Sequence, residues 1–129
     1  MTKVHKAADG KLKQIIEIGN HQIIADEPLS VGGDDQGPGP TELLEAALGS
    51  CTAITVTIVA QRKQMPLKDV RVEITPEKTT EAYRLHRKIE LVGDLTAEQR
   101  EYLLGIANKC PVHKILSGKI EIDTTLQGG

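Results

Sequence analysis

Aromatic side chains are nearly absent from this sequence of 129 residues, which has no Phe, no Trp and only two Tyr, Tyr83 and Tyr102. Proteins that bind single-stranded nucleic acid by base stacking need aromatic platforms, so we do not expect that function. A chain of this length buries on the order of two thirds of its unfolded surface and needs no disulfide staples. We therefore expect one domain over residues 1–129, with a core of Ile, Leu, Val and Ala.

An excess of positive charge is also missing. The 16 Lys and Arg residues are interspersed with 18 Asp and Glu, for a net charge of −2, which argues against binding to duplex nucleic acid. Residues 1–6 lack the apolar run of a secretion signal. The longest apolar stretch is interrupted by Gly49, Ser50 and several threonines, so we expect it to fall short of a membrane span. These features predict a cytoplasmic protein with no nucleic-acid or membrane partner.

Cysteine is rare, with Cys51 and Cys110 standing 59 positions apart. In a reducing compartment such thiols are reduced or redox-active, not permanently bridged. Cys110 precedes Pro111 at the predicted start of a short helix, where backbone N–H groups favour a thiolate. His113, three residues later, can add a positive charge or a hydrogen bond. Cys51 lies in the middle of a helix among apolar residues, where a cysteine often serves only as a small hydrophobic side chain.

A metal site is the competing interpretation, because Cys110 and His113 have the spacing of metal ligands and Cys51 offers a third. Structural zinc takes four ligands, and the sequence offers no fourth. We therefore expect no metal at these cysteines.

Turn residues divide the chain into strands and helices. Turns at Asp9-Gly10 and Gly19-Asn20 predict a β-meander in the first forty residues. Alternating or turn-bounded segments predict strands over Lys11–Ile18, His21–Asp26, Val70–Thr75, Tyr83–Val92 and Lys119–Leu126. Helices are predicted from Pro40 to about residue 64, from Ala97 to about residue 109 with a Thr96–Gln99 capping box, and over Val112–Leu116.

The first of these helices has no charged residue in its middle. Its acids lie at the start and its bases at the end, which suits the helix dipole. Apolar residues recur at spacings of three and four, namely Leu43, Leu44, Ala47, Leu48, Cys51, Ile54 and Ile58. The other faces carry mostly small residues and threonine, so we expect burial on most sides. One small domain cannot easily provide this burial, which predicts an oligomer.

Two segments of the chain carry a family resemblance. The first is Gly39-Pro40-Thr41-Glu42-Leu43-Leu44-Glu45-Ala46-Ala47-Leu48-Gly49-Ser50-Cys51-Thr52, and the second is Cys110-Pro111-Val112. Both resemble the signatures of the OsmC/Ohr family (osmotically inducible protein C and organic hydroperoxide resistance proteins), and the order of elements matches over nearly the whole chain. The resemblance implies an α+β fold, with antiparallel sheets around a long buried central helix, in an entwined homodimer.

The resemblance also implies thiol peroxidase chemistry with a protective, antioxidant role. Cys51 would attack an organic hydroperoxide and become a sulfenic acid. Cys110 would resolve it into a Cys51–Cys110 disulfide, which a dithiol reductant reopens by exchange; no metal, flavin or haem is required. The alternative is an OsmC-fold dimer with little peroxidase activity that binds a small hydrophobic ligand or acts as a slow thiol redox switch.

The charge that activates the attacking thiolate in this family is not in its usual place. The family's arginine lies near the first turn, paired with an acid ten residues before the first cysteine. Here the first turn reads Ala7-Ala8-Asp9-Gly10-Lys11, the first arginine is Arg62, and Thr41 stands in place of the acid. The remaining candidates for the cation are Lys6, Lys11, His21 or an arginine from a partner subunit. Glu42 is expected to reach back to its own helix cap.

Overall fold

The computed structural model describes residues 1–128, and over that range it contains five strands and three α-helices. The predicted α+β fold class, with antiparallel sheets and a long helix, is confirmed. Contacts divide the chain into two compact units, one over Met1–Ala46 and one that begins at Ala47. The long helix begins in the first unit and continues into the second.

The first unit contains the predicted β-meander. Strands β1 (Thr2–Lys6), β2 (Gln14–Ile18) and β3 (His21–Ala25) pair antiparallel in the order β1-β2-β3. β2 begins later than predicted, because residues 9–13 close a bend before it. There Lys13 Nζ lies 2.7 Å from an Asp9 carboxylate oxygen, and the Ala7 N–H donates to the Lys13 carbonyl at 2.9 Å.

The glycine-rich loop after β3 is organised by Asp26, whose side chain is only 2% exposed. Its carboxylate accepts backbone N–H bonds from Gln36 at 3.0 Å and Glu27 at 2.8 Å. The Gln36 bond is the main reason that the pKa of Asp26 lies below its ordinary value, since burial acts in the opposite direction. Gly33 must be glycine, because a Cβ atom there would collide with the Glu27 carbonyl.

Helix α1 spans Pro40–Arg62 and buries one face, formed by Leu48, Thr52, Val56 and Ala60. At its start the Glu42 carboxylate accepts the Gly39 N–H at 2.9 Å, which confirms the predicted cap. The expectation of burial on most sides is wrong within this chain. Leu44, Ile54 and Ile58 of the predicted stripe are 45%, 59% and 40% exposed, because the row spaced four residues apart faces inward instead.

By length and composition α1 also meets the criterion for a membrane span, with a mean hydropathy of 1.8 over an 18-residue window. The expectation that this stretch would fall short is therefore wrong on composition. Leu, Ile, Val and Ala outweigh the interrupting Ser and Thr residues on a hydropathy scale. Core helices of proteins that never enter a membrane meet the same criterion.

In the second unit a β-hairpin packs against the hydrophobic core. β4 (Leu67–Lys78) pairs antiparallel with β5 (Tyr83–Gly93). Helix α2 (Ala97–Ala107) begins at the predicted Thr96–Gln99 capping box, which is confirmed, and α3 (Pro111–Ser117) follows. Partly buried strand residues pack against a cluster from α1, α2 and the loop between β5 and α2, consisting of Val56, Ala60, Leu95, Leu103 and Ala107.

The predicted last strand over Lys119–Leu126 is not present among the described residues, which continue in irregular conformation after α3. Its apolar residues Ile120, Ile122 and Leu126 are all exposed. The prediction is wrong for this chain alone because a strand needs a neighbour for its N–H and C=O groups, and this segment has none within residues 1–128. Gly129 lies outside the described residues.

Candidate active site

Cys110 lies at the junction of α2 and α3 and is completely buried. It is the N-cap of α3, as predicted, and Pro111 occupies the first helical position. Its Sγ atom accepts the backbone N–H of His113 at 3.4 Å. The thiol is therefore held against a backbone donor that favours its ionised form.

Thr52 lies opposite Cys110 on the buried face of α1. Its Oγ1 atom is 3.9 Å from Cys110 Sγ, and it donates to the Leu48 carbonyl at 2.6 Å. The same oxygen accepts a hydrogen bond of 3.0 Å from Nη1 of Arg87, on β5. Because the hydroxyl proton goes to Leu48, Thr52 donates no hydrogen bond to Cys110, but it holds the Arg87 guanidinium close to the Cys110 sulfur.

The Arg87 guanidinium is fixed by two further contacts. Its Nη2 atom donates to Asn108 Oδ1 at 2.8 Å and to His113 Nδ1 at 2.9 Å. Because a guanidinium only donates, Nδ1 of His113 must accept, so the ring is neutral with its proton on Nε2. Of the two roles expected for His113, the hydrogen bond is present, while the positive charge beside Cys110 comes from Arg87.

The two cysteines predicted as a pair are brought together, and both are free thiols. Cys51, half-buried on α1, lies close enough to Cys110 to lower the pKa of that thiol. Burial raises the pKa of Cys110, but the hydrogen bond from the His113 backbone, the neighbouring Cys51 side chain and the charge of Arg87 act in the opposite direction and outweigh burial. The pKa of the Cys110 thiol is therefore below its ordinary value.

A pocket of about 370 Å³ adjoins this polar network. Its polar lining consists of Arg87, Asn108 and His113, together with Tyr83 and Ser117. The rest of the wall is aliphatic and consists of Leu48, Leu85, Ile89, Leu104 and Leu116. Its volume is in the usual range for small-molecule sites, roughly 300–1,000 Å³, and the combination suits a small molecule with one polar and one apolar end.

Metal coordination by Cys110 and His113 is disfavoured by the same geometry. Nδ1 of His113 already accepts a hydrogen bond from the Arg87 guanidinium, and the positive charge of that group would repel a metal ion. Within residues 1–128, no three His, Cys, Asp or Glu side chains form a group that suits a metal ion.

Comparison with known proteins places this arrangement in a family. The model of the family described as OsmC-like protein matches residues 33–125, which include both cysteines. The chain belongs to the OsmC-like family. The protein YhfA from Escherichia coli K12 is 35% identical over 71 residues, covering 55% of this chain and 50% of YhfA. The chain therefore spans about half the length of the curated relatives it matches.

Solved structures show the same fold. An osmotic stress induced and detoxification response protein from Psychrobacter arcticus is 25% identical with a TM-score of 0.75, covering 88% of this chain and 85% of that one. OsmC, an organic hydroperoxide resistance protein from Legionella pneumophila, is 22% identical with a TM-score of 0.64, covering 92% and 88%. At this identity the second likeness supports the OsmC-like fold alone.

Arg87 is the residue of this OsmC-like site that the sequence analysis missed. The sequence predicted that the cation beside the thiolate comes from Lys6, Lys11, His21 or a partner subunit, because the family's arginine lies near the first turn. A signal was present in β5, where the inward positions are Leu85, Arg87, Ile89 and Leu91. A charged residue in the apolar phase of an alternating strand indicates a specific polar partner inside.

Proposed function

We propose that this OsmC-like protein is a cysteine-dependent peroxidase that reduces organic hydroperoxides and so protects against oxidative damage. The observation that supports this most is the thiol pair itself, in which Cys110 has a lowered pKa and Cys51 is its half-buried neighbour. The adjoining pocket, lined by Arg87 and His113, has room for an organic substrate, and one solved protein with the same fold is named as an organic hydroperoxide resistance protein.

Cys51 takes the attacking role in this proposal because it is the more accessible sulfur, whereas Cys110 is fully buried. After losing its proton to solvent, the Cys51 sulfur attacks the terminal oxygen of the hydroperoxide. The S–O bond forms and the O–O bond breaks. The alkoxide leaves and takes up a proton to become the alcohol, and Cys51 is left as a sulfenic acid.

Cys110 then closes the cycle on the protein. Its thiolate attacks the Cys51 sulfur, the S–S bond forms, and the S–O bond breaks. The hydroxide leaves and takes up a proton to become water. The hydroperoxide is reduced to alcohol and water while two thiols are oxidised to a disulfide, which a dithiol reductant reopens by exchange. No metal, flavin or haem takes part.

The substrate's alkyl group would lie in the aliphatic part of the pocket, against Leu85, Leu104 and Leu116. Burial of such a group contributes roughly 0.8 kcal/mol per methylene. The proposal therefore favours alkyl and aryl hydroperoxides over hydrogen peroxide, which has no apolar part to bury.

We further propose that the protein is a cytoplasmic, entwined homodimer without a membrane or nucleic-acid partner. Leu44, Ile54 and Ile58 form an exposed apolar row on α1, and such a row is commonly covered by a partner. The segment 119–126, with its alternating exposed isoleucines, has unpaired backbone groups that a second copy can satisfy.

The test is a single-turnover reaction of the fully reduced protein with cumene hydroperoxide. We expect one equivalent of hydroperoxide to be consumed per chain, and the product to be about 2 Da lighter because two protons are lost when the bond forms. Cys51→Ser should consume none, and Cys110→Ser should stop at a sulfenic acid that dimedone traps. Ser50→Ala, next to Cys51 and exposed, is the matched control.

A wild-type protein that leaves the hydroperoxide untouched would favour the alternative of a ligand-binding dimer or a slow thiol redox switch. The aliphatic pocket is the observation that supports that alternative. Finding Cys51 only as a sulfinic acid would count against the resolving role of Cys110.

A further inference from the structure

Arg87 is a half-buried cation without an acidic side-chain partner in the part of the chain that the structure describes. Its three hydrogen-bond acceptors, Thr52, Asn108 and His113, are all neutral. Arg71, by contrast, is exposed and pairs with Asp69 and Glu90, and Arg100 is exposed to water. Removing a charge from water without a counter-charge is costly, which indicates that Arg87 has an anion to stabilise.

The acidic group closest along this network is the Cys110 thiol, one hydroxyl away from the guanidinium. We propose that Arg87 is a positioning residue that stabilises the thiolate form of Cys110 and thereby sets the rate at which the disulfide closes, with a smaller effect on the attack of Cys51 on peroxide. The claim about the rate of disulfide closure rests on the proposed peroxidase function. The claim that Arg87 stabilises the Cys110 thiolate does not.

The neighbours of Cys110 that bear on its charge come from α1, β5 and α3. α1 contributes Cys51 and the neutral Thr52, β5 contributes Arg87, and α3 contributes His113, whose ring is neutral while it accepts from Arg87. Asn108, at the end of α2, is neutral and steadies the guanidinium. Within residues 1–128, Arg87 is thus the charged group that acts on the sulfur through space.

The consequence falls on the second chemical step. Closing the disulfide requires a thiolate at Cys110, and the rate follows the fraction of thiolate multiplied by its nucleophilicity. Removing the charge of Arg87 raises the pKa of Cys110 and so lowers that fraction at neutral pH. For each tenfold loss of thiolate, the remaining thiolate is roughly threefold more nucleophilic for a Brønsted slope of about 0.45, so disulfide closure should slow by about threefold.

The thiol itself is tested first, in a Cys51→Ser background where Cys110 is the single cysteine. The ultraviolet absorbance of the thiolate is followed against pH. We expect Arg87→Gln to move the titration of Cys110 to higher pH and Arg87→Lys, which keeps the charge but not the planar fork, to move it less. Arg84→Gln is the matched control, because Arg84 is exposed and points to the opposite face of β5.

If Arg87→Gln titrates like its parent, or if Arg84→Gln shifts as far, the assignment of Arg87 is overturned. If Arg87→Gln does not fold, Arg87→Lys is the deciding variant. Because lysine keeps the positive charge, Cys110 in folded Arg87→Lys should titrate closer to Cys110 of the parent than to Cys110 of the unfolded protein. This titration needs no peroxide, so it can succeed even if the proposed activity is absent.

The effect on the reaction is tested in the protein with both cysteines, by rapid mixing with cumene hydroperoxide. Arg87→Gln is expected to slow disulfide closure at neutral pH by about threefold for each tenfold loss of thiolate found in the titration, to reach or exceed the parent rate at alkaline pH, and to let more dimedone-reactive sulfenic acid accumulate at neutral pH. Equal slowing of peroxide consumption and of disulfide closure would overturn the assignment to the second step.

Discussion

Replacing Thr52 with Val tests whether the buried hydroxyl holds the site together. Thr52→Val keeps the shape of the side chain but removes Oγ1, which accepts from Arg87 at 3.0 Å and lies 3.9 Å from Cys110 Sγ. The same oxygen also donates to the Leu48 carbonyl at 2.6 Å. Thr52 is fully buried, so no water can readily replace these contacts.

The expected loss of stability comes mainly from the Arg87 contact. A hydrogen bond from a charged group contributes about 1.5–3 kcal/mol net. Because Arg87 is half-buried and water can partly solvate it, the lower end applies. We therefore expect Thr52→Val to lower the free energy of unfolding by about 1.5 kcal/mol more than a Thr→Val change that removes only a bond to the helix backbone.

Thr57 supplies that comparison on the same helix. Its Oγ1 donates to the Ala53 carbonyl at 2.7 Å, the equivalent bond four residues back. Urea unfolding of the reduced proteins at one fixed protein concentration gives the two free energies, and the fixed concentration removes any contribution from association. Repeating Thr52→Val in an Arg87→Gln background completes a double-mutant cycle, in which the extra loss should disappear.

Equal destabilisation by Thr52→Val and Thr57→Val would refute the reasoning, since the Arg87 contact would then contribute nothing. A full extra loss that persists in the Arg87→Gln background would refute it as well. That outcome would assign the energy to packing around Thr52 instead of to the hydrogen bond.

Three further predictions follow from other parts of the molecule. Because folding lowers the pKa of Cys110, the free energy of unfolding of the reduced protein should rise as pH increases from the folded-state pKa to the ordinary thiol pKa, and this contribution should be constant outside that window. Urea titrations across the window should show no such rise in Cys110→Ser. The lowered pKa of Asp26 contributes stability that is present above its ordinary value and is lost as pH falls through the folded-state pKa, so Asp26→Asn should be less stable at neutral pH and show a weaker acid dependence by circular dichroism, and an unchanged acid profile would contradict this. Ile54→Glu places a charge on the exposed row of α1 and should convert the proposed dimer to monomer in sedimentation experiments, while Leu29→Glu, equally apolar and exposed, should not.

Local signals made much of the fold predictable. The Thr96–Gln99 capping box, Pro40 at the first turn of α1 and the glycine turns of the meander each act within a few residues. These signals act through hydrogen bonds and backbone angles within the segment itself, so no distant part of the chain is needed. The last strand was mispredicted for the opposite reason, since its hydrogen bonds depend on a neighbour from elsewhere.

The candidate site divides in the same way. The position of Cys110 as an N-cap follows from the Cys110-Pro111 pair, and the structure bears it out. The place of Arg87 in the site depends on which face of β5 turns inward and on where β5 packs against α1. No local pattern in the sequence specifies that packing. The roles of Cys51 as the attacking thiol and Cys110 as the resolving thiol remain predictions.

The sequence by itself determined the identity of the family, the order of most elements and the two thiols on which the proposed chemistry depends, because these are carried by short motifs and by periodicity. Only the tertiary structure decided which charge acts on the Cys110 thiol. It brings Arg87 on β5 within a hydrogen bond of Thr52 on α1, residues 35 positions apart. Electrostatic stabilisation depends on distance in space, and long-range packing sets that distance.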